Sequence, residues 1–135
     1  MQELQRWRDQ LNMPLTLEPK YFPVSDKLAA AMLIRLRQQQ KPDAALRLAG
    51  ACLRACWEED RDISDTQTLQ AIATENALDA TELLIDVDKT LQTRAADSEE
   101  AVKVGVFGAP SYLYNNELFW GQDRLEFLDR ALERH

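Results

Sequence analysis

Apolar residues recur at helical spacing over most of this chain and at strand spacing only near its end. Residues 2–12 predict a short amphipathic helix with Leu4, Trp7 and Leu11 on one face. From Met13 to Val24 the chain carries Pro14, Pro19 and Pro23, which cannot continue a helix, so this stretch predicts an extended connector. Ser25 or Asp26 is then placed to cap a helix to about Gln39, in which Leu28, Met32 and Leu36 recur on one side. Pro42 suits the first turn of a long helix to about Glu59, with Leu46, Ala49, Leu53 and Trp57 as the expected buried stripe. Asp62-Ile63-Ser64-Asp65 marks the next start, leading through Leu69 and Ile72 to Asn76, the expected left-handed C-cap. Asp79 begins a helix carrying Leu83, Leu84 and Ile85. A polar helical stretch follows from about Lys89 to Val102, with Ala101 and Val102 expected to pack at its end.

After Gly105 the period shortens from 3.6 to 2. Tyr112 and Tyr114 alternate with Leu113, Asn115-Asn116 supplies a two-residue turn, and Glu117 to Trp120 returns as a second strand. Gly121 releases the chain into a last amphipathic helix, with Leu125, Phe127, Leu128, Ala131 and Leu132 expected to face inward. A two-stranded hairpin is marginal by itself. This one therefore calls for neighbouring strands that the sequence does not obviously supply.

Composition narrows the possibilities. A chain of 135 residues fits one domain. Its net charge of −7, with Lys and Arg scattered among Asp and Glu, argues against a nucleic-acid partner. No apolar run approaches the roughly 18 residues of a membrane span, so no membrane partner is expected. With no export signal at Met1 and no disulfide framework, a cytoplasmic location is expected. Cys52 and Cys56 stand four apart in a helical pattern and offer at most half a metal site. The chain's single histidine is His135, so no full ligand set exists and the two thiols are expected to pack in the core.

The candidate chemistry lies in the last thirty residues. An Ala109-Pro110 bond leading into a strand suits either the cis form, which turns the Ala109 backbone outward for strand-like pairing, or an ordinary trans proline at a strand start. Gly121-Gln122-Asp123 opens the last helix, where free N–H groups and the helix dipole favour an anion. The Asp123 carboxylate is placed either to hold an ammonium beside that anion or to cap its own helix.

Two runs, Gly105-Val106-Phe107-Gly108-Ala109-Pro110 and Phe119-Trp120-Gly121-Gln122-Asp123-Arg124-Leu125, resemble the C-terminal signature of the 2-hydroxychromene-2-carboxylate isomerases. These are relatives of kappa-class glutathione transferases and of DsbA-like thioredoxin-fold oxidoreductases. Leu4-Gln5-Arg6-Trp7-Arg8, Tyr21-Phe22-Pro23-Val24 and Asp62-Ile63-Ser64-Asp65 resemble earlier family segments in the right order, so the resemblance covers the whole chain. It implies a mostly α chain within an α/β thioredoxin-like fold: residues 1–24 as helix and connector, 25–103 as an all-helical insertion, and 104–135 as C-terminal hairpin and helix. It also implies glutathione as cofactor, a small aromatic substrate and a homodimer. Ala109, before cis-Pro110, would pair with the cysteinyl backbone of glutathione. Gln122 and Asp123 would hold its γ-glutamyl end, with Trp120 either beside the site or packing the hairpin. Members often carry valine at the position of Ala109, which backbone pairing tolerates.

One departure stands out. The family opens with a strand-helix-strand unit of about 30 or more residues holding a serine that steadies the glutathione thiolate. Nothing before Met1-Gln2-Glu3 supplies it, and Ser25 and Ser64 sit at helix starts, so the resemblance predicts a partial chain without a catalytic residue of its own. Two functions follow as expectations. One is a glutathione-dependent isomerase or related transferase, in which the thiolate adds reversibly to an unsaturated aromatic acid and is expelled after rotation. The other is a non-catalytic thioredoxin-like module completed by a partner or a second copy. Tyr21 and Phe22 are candidates for the aromatic side of a substrate pocket.

Overall fold

Small side chains bring two helices together at the centre of the first part of the chain. The computed structural model describes residues 2–134, in two compact units, Met1–Arg94 and Ala95–His135. The first contains α1 (Gln2–Leu11), α2 (Lys27–Gln38), α3 (Pro42–Trp57), α4 (Thr66–Glu75) and α5 (Ala80–Leu83). α6 (Val87–Lys103) begins in the first unit and ends in the second, which also holds β1 (Ser111–Tyr114), β2 (Glu117–Trp120) and α7 (Leu125–Glu133). His135 lies outside the described residues. No helix among those residues is long and apolar enough to cross a membrane.

The core of the first unit joins Met32 and Leu36 of α2 to Leu48, Ala51, Cys52 and Ala55 of α3, with Leu69 and Ile72 of α4 and Leu83 of α5 closing it. The buried side of α3 is not the expected one. Leu48 is fully buried, whereas Leu46 is 73% and Leu53 62% exposed, and Ala49 and Trp57 are half-buried. α3 is apolar on two registers. The register of Ala44, Leu48, Ala51, Cys52 and Ala55 presents mostly small side chains, which let the neighbouring helices approach closely, and that approach decides the burial. α1 forms as predicted, but its apolar face stays open: Leu4 and Leu11 are exposed and Trp7 is half-buried. At the end of α6, Val102 points to solvent and only Ala101 turns partly inward.

The starts and stops are locally encoded. The Asp65 carboxylate accepts from the Thr68 N–H at 2.8 Å and Asp79 from the Thr81 N–H at 2.9 Å, capping α4 and α5. Asp26 stands at the N-cap of α2 without capping it; its carboxylate accepts from Arg94 Nη2 at 2.8 Å. The left-handed residue after α4 is Ala77 (φ 56°), not Asn76 (φ −102°). The Asn76 amide instead donates to the Ile72 carbonyl at 2.8 Å, while the N–H groups of Leu78 and Ala77 donate to Ala73 and Thr74 in a Schellman arrangement. An alanine with positive φ is strained by about 1 kcal/mol relative to glycine. Ala77→Gly is therefore expected to stabilise the protein by about that amount; urea unfolding with an unchanged midpoint would show that the turn carries no such strain.

The connector is tied to the end of α3. The Thr16 N–H donates to the Trp57 carbonyl at 2.7 Å and the Lys20 N–H to Asp60 Oδ1 at 2.8 Å, and the Phe22–Pro23 peptide is cis. Cys52 and Cys56 pack in the core as expected, 5% and 4% exposed. Burial pushes both thiols up, and for Cys56 the nearby Asp60 and Asp62 add to it. An unfolded thiol ionises near pH 8.5 while the folded ones keep their protons. Stability should therefore fall as pH rises above that value, because the unfolded state binds fewer protons there. Cys52→Ala is expected to flatten this alkaline slope in thermal melts recorded across pH; an unchanged slope would put its origin elsewhere.

Candidate functional site

The second unit is organised by its hairpin. Asn115 and Asn116 both take positive φ (49° and 63°), as a type I′ turn requires, and set the register Tyr114↔Glu117, Leu113↔Leu118, Tyr112↔Phe119 and Ser111↔Trp120. One step beyond the strands, that register brings Pro110 opposite Gly121, and the Gly121 N–H donates to the Pro110 carbonyl at 2.9 Å. The Ala109–Pro110 peptide is cis. The Ser111 hydroxyl spans this corner, donating to the Gly108 carbonyl at 2.5 Å. Ala109 is exposed, and among the described residues its backbone groups make no hydrogen bond.

Gly121 has φ 104° and ψ 150°, a region open in practice only to glycine. A Cβ there would lie 2.5 Å from Asp123 Oδ1, so the carboxylate is folded back over the glycine backbone. Gln122 and Asp123 do not lie in the first turn of α7. They form a single 3-10 turn, Gln122–Arg124, ahead of it, closed by the Arg124 N–H donating to the Gly121 carbonyl at 3.2 Å. The turn follows directly on this positive-φ glycine. Asp123 is not a cap: Gly121 is the N-cap of the turn and Arg124 that of α7, and neither has a side-chain capping bond. Both the Gln122 and Asp123 side chains are exposed.

Trp120 faces a different part of the unit. Its ring lies 4.9 Å from that of Phe107, centroid to centroid, and its Nε1 sits 2.6 Å from where a Gly108 Cβ would be. With Phe107, Leu118, Phe119, Arg124 and Phe127 it lines an open recess of about 600 Å³. Ala109, Pro110, Gln122 and Asp123 are not among its lining residues. The structure thus brings together Pro110, Gly121, Gln122 and Asp123 around one backbone hydrogen bond and sets Trp120 on the neighbouring recess. Sequence reasoning missed Arg124, Phe107 and Phe127. Arg124 stands next to the Gln122-Asp123 pair, and its charge was the available signal. Phe107 lies in a run that carries the resemblance and Phe127 was expected to face inward, but nothing local showed that the two line one recess.

α7 also departs from expectation. Leu125, Phe127 and Leu132 are 46%, 50% and 49% exposed, and Leu128 and Ala131 only half-buried. Within its own unit α7 packs on β1 and β2, and two short strands cannot cover a helix face of that size. Among the described residues no group of three or more His, Cys, Asp or Glu side chains is placed to hold a metal ion.

Residues 1–133 match the family model of the DSBA-like thioredoxin domain. Among characterised proteins the chain is similar to a 2-hydroxychromene-2-carboxylate isomerase of Sphingobium xenophagum, with 32% identity over 138 residues, covering 98% of this chain and 66% of that protein. Among solved structures it is similar to a 2-hydroxychromene-2-carboxylate isomerase (HCCA isomerase), with a TM-score of 0.75 at 21% identity over 98% of this chain and 63% of that one. The chain thus spans just under two-thirds of the length of both relatives. The fold is a DsbA-like thioredoxin fold, mostly α within an α/β class, and this chain belongs to the DSBA-like thioredoxin domain family.

Proposed function

We propose that this chain carries the glutathione-holding part of an isomerase of 2-hydroxychromene-2-carboxylate type, or of a related glutathione transferase. The observation that carries the reading is the hydrogen bond from Gly121 to Pro110, which sets an exposed peptide edge and an uncapped helix entry side by side. These residues fit a small peptide with a free amino-acid end. Ala109 offers an unpaired N–H and C=O to the cysteinyl backbone of glutathione. The N–H groups at the 3-10 turn suit the γ-glutamyl carboxylate, and the Asp123 carboxylate suits the ammonium beside it. When bound, glutathione supplies the nucleophilic thiol for reversible addition to an unsaturated aromatic acid. The chain's part is to orient that peptide, with Trp120 and the recess beside it as the aromatic neighbour of the small substrate.

Binding is the property to test before turnover. Calorimetry of the chain with glutathione should show weak, saturable binding, and Asp123→Ala should abolish it. Unchanged affinity in that variant would remove Asp123 from the site. A second reading, a non-catalytic module completed by a partner or a second copy, is favoured by the half-exposed Leu125, Phe127 and Leu132 of α7. Sedimentation of the purified chain separates the two: a homodimer or a hetero-complex covering α7, without glutathione binding, favours the module.

A further inference from the structure

Of the two apolar registers of α3, only one enters the core. The other, Pro42, Leu46, Gly50, Leu53 and Trp57, recurs every three or four residues along one line of the helix. Leu46 and Leu53 on that line are 73% and 62% exposed. A groove of about 420 Å³ runs beside its first half, between α2 and α3, lined by Leu33, Pro42, Ala45, Leu46 and Ala49. The one charged residue on that lining is Arg37. The second half of the line projects Leu53 instead. Between the two halves the helix is narrow: Ala49 is small, and a Cβ added at Gly50 would meet nothing within 4 Å. A groove and a projecting leucine thus flank a narrow waist. A two-fold axis through that waist fits the leucine of each copy into the groove of the other.

We infer that a second copy of the chain docks on this face, its α3 antiparallel to the first and crossing it at Ala49. Leu53 then enters the groove beside Leu46 of the second copy. The charges agree with that register. Asp43 falls against Arg54 of the second copy and Lys41 against its Glu58, each pair occurring twice. Among the described residues neither Asp43 nor Arg54 has an ion-pair partner of its own. Arg47, on the same border, falls opposite Ala51. α7 is another open helix face, but Glu126, Asp129 and Glu133 border it, so self-pairing there would set like charges together. Two helices side by side present a face of about 24 by 20 Å. That is near the lower limit of specific interfaces, so the dimer is a weak one. The assignment stands on α2 and α3 and does not rest on the glutathione reading.

Sedimentation velocity of the full chain across protein concentration should show a monomer–dimer equilibrium in the micromolar range. Leu53→Glu should raise its dissociation constant by about tenfold or more, with helical dichroism retained because the side chain faces solvent. Asp43→Arg should weaken the dimer, and adding Arg54→Asp should restore it. Should a variant fail to fold, the native protein serves: a carbodiimide should link Lys41 to Glu58. These residues stand at opposite ends of α3, so the link can form only between copies. A monomer at every concentration, a dimer that Leu53→Glu leaves intact or that Leu128→Glu dissolves instead, no recovery in the charge-reversed pair, or no Lys41–Glu58 link would each overturn the assignment.

Discussion

Leu48→Ala is expected to destabilise the protein by about 3 kcal/mol, whereas Leu46→Ala and Leu53→Ala should each change stability by no more than about 0.5 kcal/mol. All three remove the same atoms from one helix, so the contrast isolates burial. Leu48 is completely enclosed between the helices of the first unit, and its loss leaves a cavity that the small alanines around it cannot refill. Leu46 and Leu53 already spend most of their surface in water. Urea denaturation followed by far-ultraviolet dichroism reads the difference directly. Equal losses at positions 46 and 48 would mean that α3 presents its other face to the core.

Gly121→Ala should be the most damaging single change in the second unit. Its backbone lies where an L-residue costs about 2 kcal/mol, and the new Cβ would meet the Asp123 carboxylate at 2.5 Å. Two consequences follow together. The 3-10 turn that carries Gln122 and Asp123 must shift, and the hydrogen bond from Gly121 to Pro110 must lengthen. Loss of the melting contribution of residues 95–135 and loss of glutathione binding should therefore appear in the same variant. A variant that keeps both would show that the corner tolerates a side chain and that its geometry does not hold the ligand.

How much of this was legible beforehand depended on whether the cause was local. A helix start at Asp62–Asp65 and another at Asp79, Pro42 in a first turn and Asn115-Asn116 as a hairpin turn depend on residues within a few positions of themselves, and all four lie where the sequence put them. The face of α3 could not be read this way, because both of its registers are apolar and the choice belongs to the neighbouring helices. Asn76 misled for a related reason: its side chain found a carbonyl to cap and left the left-handed position to Ala77. At the candidate site, Pro110 and Gly121 meet because the turn fixes the register, which the two asparagines foretold. The 3-10 entry to α7 and the recess under Trp120 were invisible, since they depend on the positive φ of one glycine and on rings from distant segments.

The most direct test is to follow the backbone amides of the isotope-labelled chain by nuclear magnetic resonance while glutathione is added. Saturable shifts should gather at Ala109, Ser111 and residues 121–123, with α2 to α4 unmoved. Shifts confined to the helices of the first unit, or no shifts at residues 109–123 at saturating glutathione, would contradict a peptide site at the Pro110–Gly121 corner.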